Sequence, residues 1–302
     1  MQQRILIGVG AGLAAVVAIG MLVAASQQGW FGGKAQQLLA QGTHAAQQGH
    51  FSDAQPPLEE LVATYPDSPL ADDAFLELGE VYEGQQQYEE ARSMYRTLLE
   101  RFPESPIVPK AQERLGNVNV ALLFSPIVTD LDTTIEVKPG DSLGKLAKAN
   151  HTTVEFLRRA NNLKGDVIRP GQKLKVPKGH FSIVVDKSQN SLLLTEDNQF
   201  IKTYTVATGK DNSTPVGTFK VINRLPNPVW YKQNAVVPPD SPENILGTRW
   251  LGLDKQGYGI HGSVDPNAMG KQVTAGCVRM RNPEVEELYD IVPVGTDVTI
   301  VD

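Results

Sequence analysis

Cys277 is the only cysteine in the 302-residue chain, and it follows His261, one of five histidines, by sixteen positions. A thiol near an imidazole is the minimum apparatus for nucleophilic catalysis. The ring takes the thiol proton, and the thiolate is the attacking species. The segments Gly257-Tyr-Gly-Ile-His261-Gly-Ser and Thr274-Ala-Gly-Cys277-Val-Arg279-Met set both residues at ends of β-like runs beside glycines. Side chains there are presented rather than packed. Gly276 would let the backbone approach a substrate closely, and amide N–H groups around Cys277 could hold a developing oxyanion. The bland alternative is a buried structural thiol, since free cysteine is among the most buried residue types.

The pattern His261-Gly-Ser, a short connection, then Thr274-x-Gly-Cys-Val-Arg-Met resembles the signature of L,D-transpeptidases of the YkuD type. A second block, Ala207-Thr-Gly-Lys-Asp-Asn-Ser-Thr-Pro215-Val-Gly217-Thr-Phe219, is similar to that family's Thr-Pro-x-Gly-Thr-Phe segment. Trp250-Leu-Gly-Leu ahead of Tyr258-Gly-Ile-His261 agrees as well, so the resemblance covers 179–302. It implies Cys277 as nucleophile, His261 as general base and acid, and the Gly262 carbonyl as the group that orients the ring. Gly276, Arg279, Thr274, Tyr258 and Trp250 are the expected substrate contacts. There are two departures: Ala275 stands where many members carry His, and Arg279 replaces the Asn of some relatives. The fork of Arg279 suits a peptide carboxylate, with a structural salt bridge as the alternative.

The implied reaction is acyl transfer between peptidoglycan stem peptides. Cys277 attacks the carbonyl of the third stem residue, D-alanine leaves, and a second stem's amine resolves the thioester into a 3→3 cross-link. Thiolate, imidazole and oxyanion hole suffice, so no cofactor or metal is expected. An L,D-carboxypeptidase, with water as acceptor, and a non-catalytic peptidoglycan-binding scaffold are the alternatives.

The site needs a rigid frame. Short runs rich in Val, Ile, Thr and Phe (Phe181–Asp186, Ser191–Glu196, Phe200–Ala207, Gly217–Asn223 and Asp297–Val301) predict a mostly-β catalytic domain over 179–302. A helix is expected from Asn282-Pro283. Leu225–Leu246, with Trp230, Tyr231 and Pro238-Pro239, reads as a lid or groove wall.

Ahead of it, 134–178 has the order βααβ, with a capping box at His151-Thr152-Thr-Val-Glu155. Val137-Lys-Pro-Gly-Asp-Ser-Leu143, Arg159-Ala-Asn-Asn-Leu163 and Pro170-Gly-Gln-Lys-Leu-Lys-Val-Pro177 resemble a LysM module. That resemblance implies a grip on N-acetylglucosamine-containing glycan through Gly140, Asp141 and Ser142 and through the loop from Leu163 to Ile168. A linker is expected over 121–133.

Residues 34–120 repeat. Phe51-Ser-Asp-Ala aligns with Tyr88-Glu-Glu-Ala, and Tyr65-Pro-Asp-Ser-Pro with Phe102-Pro-Glu-Ser-Pro, each at an offset of 37. Helical periodicity within the units resembles tetratricopeptide-type hairpins, a stalk or a protein-docking arm. Asp72, Asp73, Glu77 and Glu80 read as a solvated face. Residues 1–30 hold Ile5–Ala25, 21 residues without a charge behind Arg4. That is enough helix to cross a bilayer, as a signal anchor; a cleaved signal peptide ending at Val23-Ala24-Ala25 is the rival. Either predicts export to the cell envelope, periplasm or wall, with the anchor in the inner (cytoplasmic) membrane.

The net charge of −6 is unevenly spread. Residues 34–120 carry 14 acids against 6 bases, and 135–178 carry 10 bases against 4 acids. One small basic module does not make a nucleic-acid binder; its charge could also attract anionic wall polymer, with a merely soluble basic surface as the alternative. One cysteine excludes an intramolecular disulfide framework.

Overall fold

The structure, a computed structural model, describes residues 33–232 and 235–302. The apolar run Ile5–Ala25 lies outside them. Among the described residues no helix is long and apolar enough to cross a membrane. The chain divides into two compact units, Met1–Gln112 and Glu113–Asp302.

The first unit is helical: α1 (33–47), α2 (Phe51–Thr64), α3 (Ala71–Gly84), α4 (Tyr88–Arg101) and the start of α5 (Val108–Leu123). The offset of 37 carries α2 onto α4 at both ends and the start of α3 onto that of α5. The helices pack through small and branched residues at three- and four-residue steps, with Ala54, Leu58, Leu61, Ala74, Leu78 and Ala91 buried. Gly79 lets α3 close on the Tyr95 ring, where a Cβ would sit 2.4 Å from a ring carbon. In the acidic patch Glu80 pairs with Lys110 at 2.7 Å and Asp72 accepts from Ser105 Oγ at 2.6 Å.

In the second unit, β1 (Asp132–Glu136) pairs antiparallel with β2 (Lys173–Pro177) beside α6 (Leu143–Ala149) and α7 (Val154–Ala160). Ser142 caps α6, accepting from Lys145 N at 3.3 Å. The cap of α7 is Thr153, which accepts from Phe156 N at 2.8 Å, one residue later than the Thr152 box read from sequence. Glu155 therefore does not reach back to the cap and instead meets Arg224 at 3.3 Å.

One expectation about the joints needs correction. The segment 121–133 is no free linker: α5 continues to Leu123, and Leu122, Leu123 and Leu131 are buried. The rest wraps the Lys175 ammonium, which donates to the carbonyls of Leu122 (2.7 Å), Ser125 (3.1 Å) and Ile127 (2.7 Å) and lies 3.1 Å from the Asp132 carboxylate. A buried ammonium needs acceptors, and irregular backbone supplies them. The segment therefore lacks a period because it is a cage. The βααβ module is packed against the catalytic domain. Phe156 packs on Phe181 at 6.2 Å, Thr153 Oγ1 donates to the Asp290 carbonyl, and Arg159 pairs with Asp290 at 2.8 Å. One buried apolar cluster runs from Val120 through Phe156 and Leu174 to Ile300.

The frame for chemistry is an eight-stranded sheet in the order β13-β11-β10-β7-β14-β3-β4-β5. Its strands are β3 (Phe181–Asp186), β4 (Ser191–Glu196), β5 (Gln199–Thr205), β7 (Gly217–Pro226), β10 (Arg249–Leu253), β11 (Gly259–His261), β13 (Val278–Arg279) and β14 (Asp297–Val301). Outside it, β6 (Thr208–Gly209) pairs with β12 (Gln272–Thr274), and β8 (Trp230–Lys232) with β9 (Ala235–Val237). The helix α8 (Asn282–Ile291) buries Val285, Leu288, Tyr289 and Ile291.

Candidate active site

Sheet register brings the site together. Trp250 lies opposite Leu225 across β10 and β7, and opposite His261 across β10 and β11. His261 in turn lies opposite Arg279 across the parallel pair β11 and β13. Alternation sends this row of four to one face, while Leu251, Ile260, Val278 and Met280 point into the core. Cys277 is two residues before Arg279 and so faces the same way. All five line a cavity of about 640 Å³ walled by Pro228, Val229, Trp230, Tyr231, Ile245 and Leu246. The segment 225–246 is thus a groove wall, built partly by the β8–β9 hairpin.

The ring of His261 is buried and stacks on Trp250, with centroids 5.9 Å apart and planes at 21°. Trp250 is itself held by its Nε1–H, which donates to Asn223 Oδ1 at 3.0 Å. His261 Nδ1 lies 2.7 Å from the Gly262 carbonyl oxygen. A carbonyl only accepts, so Nδ1 carries the proton and a neutral ring keeps Nε2 free as the base. Burial pushes the imidazole down to about 4, helped by the Arg279 guanidinium and opposed by the Gly262 and Leu246 backbone bonds. Burial also raises the Cys277 thiol, against a Gly259 backbone bond and Arg279. The thiol is half-buried and 3.5 Å from the Gly257 carbonyl. The resting pair is therefore neutral thiol and neutral imidazole.

The turn before the thiol is knotted by Thr274. Its Oγ1 donates to the Cys277 carbonyl at 2.6 Å and accepts from Gly276 N at 3.2 Å. That commits the Thr274 hydroxyl to the turn rather than to a ligand, although the residue lines the cavity. Gly276 has φ +130°, and a Cβ there would come within 2.7 Å of the Tyr258 ring. Tyr258, which lines the cavity, thus packs over Gly276 beside the nucleophile. Arg279 has no carboxylate partner among the described residues, and its Nε is buried without an acceptor. The salt-bridge alternative for Arg279 is not realised.

Sequence reasoning passed over Asn282, seen only as a helix start. Its Oδ1 accepts from Thr248 N (3.2 Å) and Ser263 N (3.1 Å), and a Cβ at Gly262 would collide with it. Asn282 thereby fixes the loop whose Gly262 carbonyl holds His261. Asn282→Ala leaves two backbone donors without an acceptor, each costing about 1–3 kcal/mol. We expect a lower melting temperature by calorimetry and a lower kcat, with both recovered in Asn282→Asp, which keeps the acceptor.

A sequence model of the L,D-transpeptidase catalytic domain matches residues 180–300. The LysM domain matches 135–177, and a tetratricopeptide repeat matches 39–118. The putative L,D-transpeptidase YkuD of Bacillus licheniformis is 39% identical over 173 residues, covering 55% of this chain and 96% of that protein. The chain belongs to the YkuD-type L,D-transpeptidase family. The Bacillus subtilis protein of the same name is 37% identical over 174 residues, covering 55% of this chain and 98% of that protein. The putative L,D-transpeptidase YqjB of Bacillus subtilis is 44% identical over 126 residues, covering 40% and 70%. An L,D-transpeptidase catalytic domain joined to a LysM domain makes this a peptidoglycan-directed enzyme of the cell wall or envelope.

Within this L,D-transpeptidase the expected glycan contacts are only partly free. Asp141 accepts from Lys138 N at 2.7 Å, Ser142 caps α6, and the Gly140 carbonyl accepts from Lys145 Nζ at 2.8 Å. Leu163 and Ile168 are half-buried against the core. Lys175, one of the ten bases of the module, is buried and adds nothing to its surface charge.

Proposed function

We propose that the chain cross-links peptidoglycan stem peptides through a thioester on Cys277, with His261 moving the protons. The observation that carries this is the shared face of Cys277, His261 and Arg279 in one cavity, with Nδ1 bonded to Gly262 and Nε2 left as base. Because thiol and imidazole both rest neutral, the proton passes from Sγ to Nε2 as sulfur attacks the carbonyl of the third stem residue. The Cys277 amide supplies a donor for the oxyanion, since Gly276 N–H is already bonded to Thr274. Collapse expels D-alanine, whose amine takes the proton from His261. An acceptor amine then attacks the thioester, returns its proton through Nε2 to sulfur, and leaves an amide cross-link.

The unpaired fork of Arg279 supports a contact with a free carboxylate of the stem. Trp250, Trp230 and Tyr231 supply apolar wall for its side chains. The uncharged run Ile5–Ala25 behind Arg4 supports export and an anchor in the cytoplasmic membrane. The helical repeats suit a protein partner or spacer.

The test is incubation of the full chain with a purified stem tetrapeptide, products read by mass. The expected products are cross-linked dimers together with released D-alanine. Tripeptide without dimers would assign an L,D-carboxypeptidase, and unaltered substrate would leave a glycan-binding scaffold.

A further inference from the structure

Outside the catalytic cavity, a groove of about 760 Å³ lies at the joint between the LysM module and the catalytic sheet. Its size is that of a site enclosing a drug-sized ligand. Asn162, Leu163 and Lys164 of the loop after α7 form one side; Pro226, Arg249 and Tyr289 of the catalytic domain form the other. Arg249 lies opposite Pro226 in the β10–β7 register, one step from the pair Trp250 and Leu225 that lines the catalytic cavity. Adjacent residues of a strand face opposite sides, so the groove and the catalytic cavity lie back to back across the same two strands.

The charges in this groove are unbalanced. Its two carboxylates are committed: Asp290 pairs with Arg159 at 2.8 Å and Glu155 with Arg224 at 3.3 Å. Arg158 reaches Asp166 at 3.6 Å. That leaves Arg249 and Lys164, neither with a carboxylate partner among the described residues. Arg249 donates from Nη1 to the Thr248 carbonyl at 2.8 Å, and its Nε is buried without an acceptor. A buried guanidinium N–H with no acceptor is a cost that an anionic ligand would relieve. Leu163, Pro226 and Phe124 add apolar surface of the kind on which sugar rings lie, and Arg159 is spread over the Phe124 ring at 3.5 Å.

We propose that this joint groove is a second binding site, for a carboxylate-bearing stretch of amino-sugar strand, with Arg249 and Lys164 receiving the carboxylate. It rests on the reading of peptidoglycan as the ligand. The carboxylate has two possible sources, the lactyl group of a strand stripped of peptides or a stem peptide still attached. The site reads charge where two rigidly joined domains meet, and it places the bound strand on the sheet that carries the catalytic residues. Arg249 also ties the two sides together, because its carbonyl accepts from Gly262 N at 3.1 Å beside His261.

The experiment uses the full chain as Cys277→Ala, so that nothing is consumed. Binding is titrated by calorimetry at low and high salt with three probes of equal sugar length. These are a neutral N-acetylglucosamine oligomer, a peptide-free strand with lactyl carboxylates, and a strand bearing stem peptides. We expect one or both anionic probes to bind about tenfold more tightly than the neutral one at low salt, the order for one charge-assisted contact. Which of the two does so identifies the source of the carboxylate. Lys164→Gln, at an exposed position, is expected to remove part of the preference, and adding Arg249→Gln the remainder. Equal affinity for all three probes overturns the proposal, as does a preference that the double variant leaves undiminished. Neither outcome touches the cross-linking reading, which is judged separately by the products of the wild-type chain.

Discussion

Cys277→Ala is expected to abolish product formation, with a fall of roughly 10⁴-fold or more when an enzyme's only nucleophile is removed. No other thiol exists in the chain to substitute for it. A carbapenem-type acylating agent should add its mass to the wild-type protein and nothing to this variant. Because the Cys277 side chain is half-buried at the cavity wall rather than in the core, the variant should melt near the wild type and still bind peptidoglycan. Cys277→Ser is the sharper comparison. A hydroxyl is a far poorer acid than a thiol, so a base held as low as His261 should extract little activity from it. Normal turnover by either variant would remove Cys277 from the reaction.

The second large effect belongs to His261. His261→Ala should lower kcat/KM by about 10²–10⁴, the range for a positioned general base. The pH profile is more diagnostic than the loss. With the imidazole pushed down to about 4 by burial, the acid limb of kcat/KM should lie near that pH, followed by a plateau across neutrality. An acid limb near 6.5 would mean that water reaches the ring in the working enzyme. Stability should follow the same group. The imidazole titrates at 6.5 when unfolded and at about 4 when folded, so between these values only the unfolded chain takes up the proton. Stability attributable to His261 is full above pH 6.5, declines as the pH falls, and is lost below about pH 4, a change of roughly 3 kcal/mol. His261→Gln should flatten that segment of a melting-temperature profile.

Much of this was legible in one dimension because the signals are local. The 37-residue offset, the strands Phe181–Asp186, Ser191–Glu196 and Asp297–Val301, and the βααβ order rest on periodicity and turn residues that neighbours in sequence determine. Asn282 was invisible because nothing in Asn-Pro at a helix start says that the side chain turns back to hold a loop nineteen residues upstream. The Thr152 box was misplaced by one because two threonines stand together and only the packing of Phe156 selects Thr153. Thr274 looked like a substrate contact because a motif shows which residues recur, not which hydroxyl is already bonded.

By itself the sequence determined the parts: a lone thiol, a histidine framed by glycines, a glycan-binding module and a helical repeat, each written in residues close along the chain. Only the tertiary structure decided how they meet. The register of β7, β10, β11 and β13 put Leu225, Trp250, His261 and Arg279 on one face, and burial there left the acid and base both neutral. The LysM module became rigidly joined to the catalytic domain because Phe156 packs on Phe181 and Asp290 holds Thr153 and Arg159, while a buried lysine drew the segment ahead of the module around itself. Register and desolvation belong to pairs of segments far apart in sequence, and neither has a value until those segments touch.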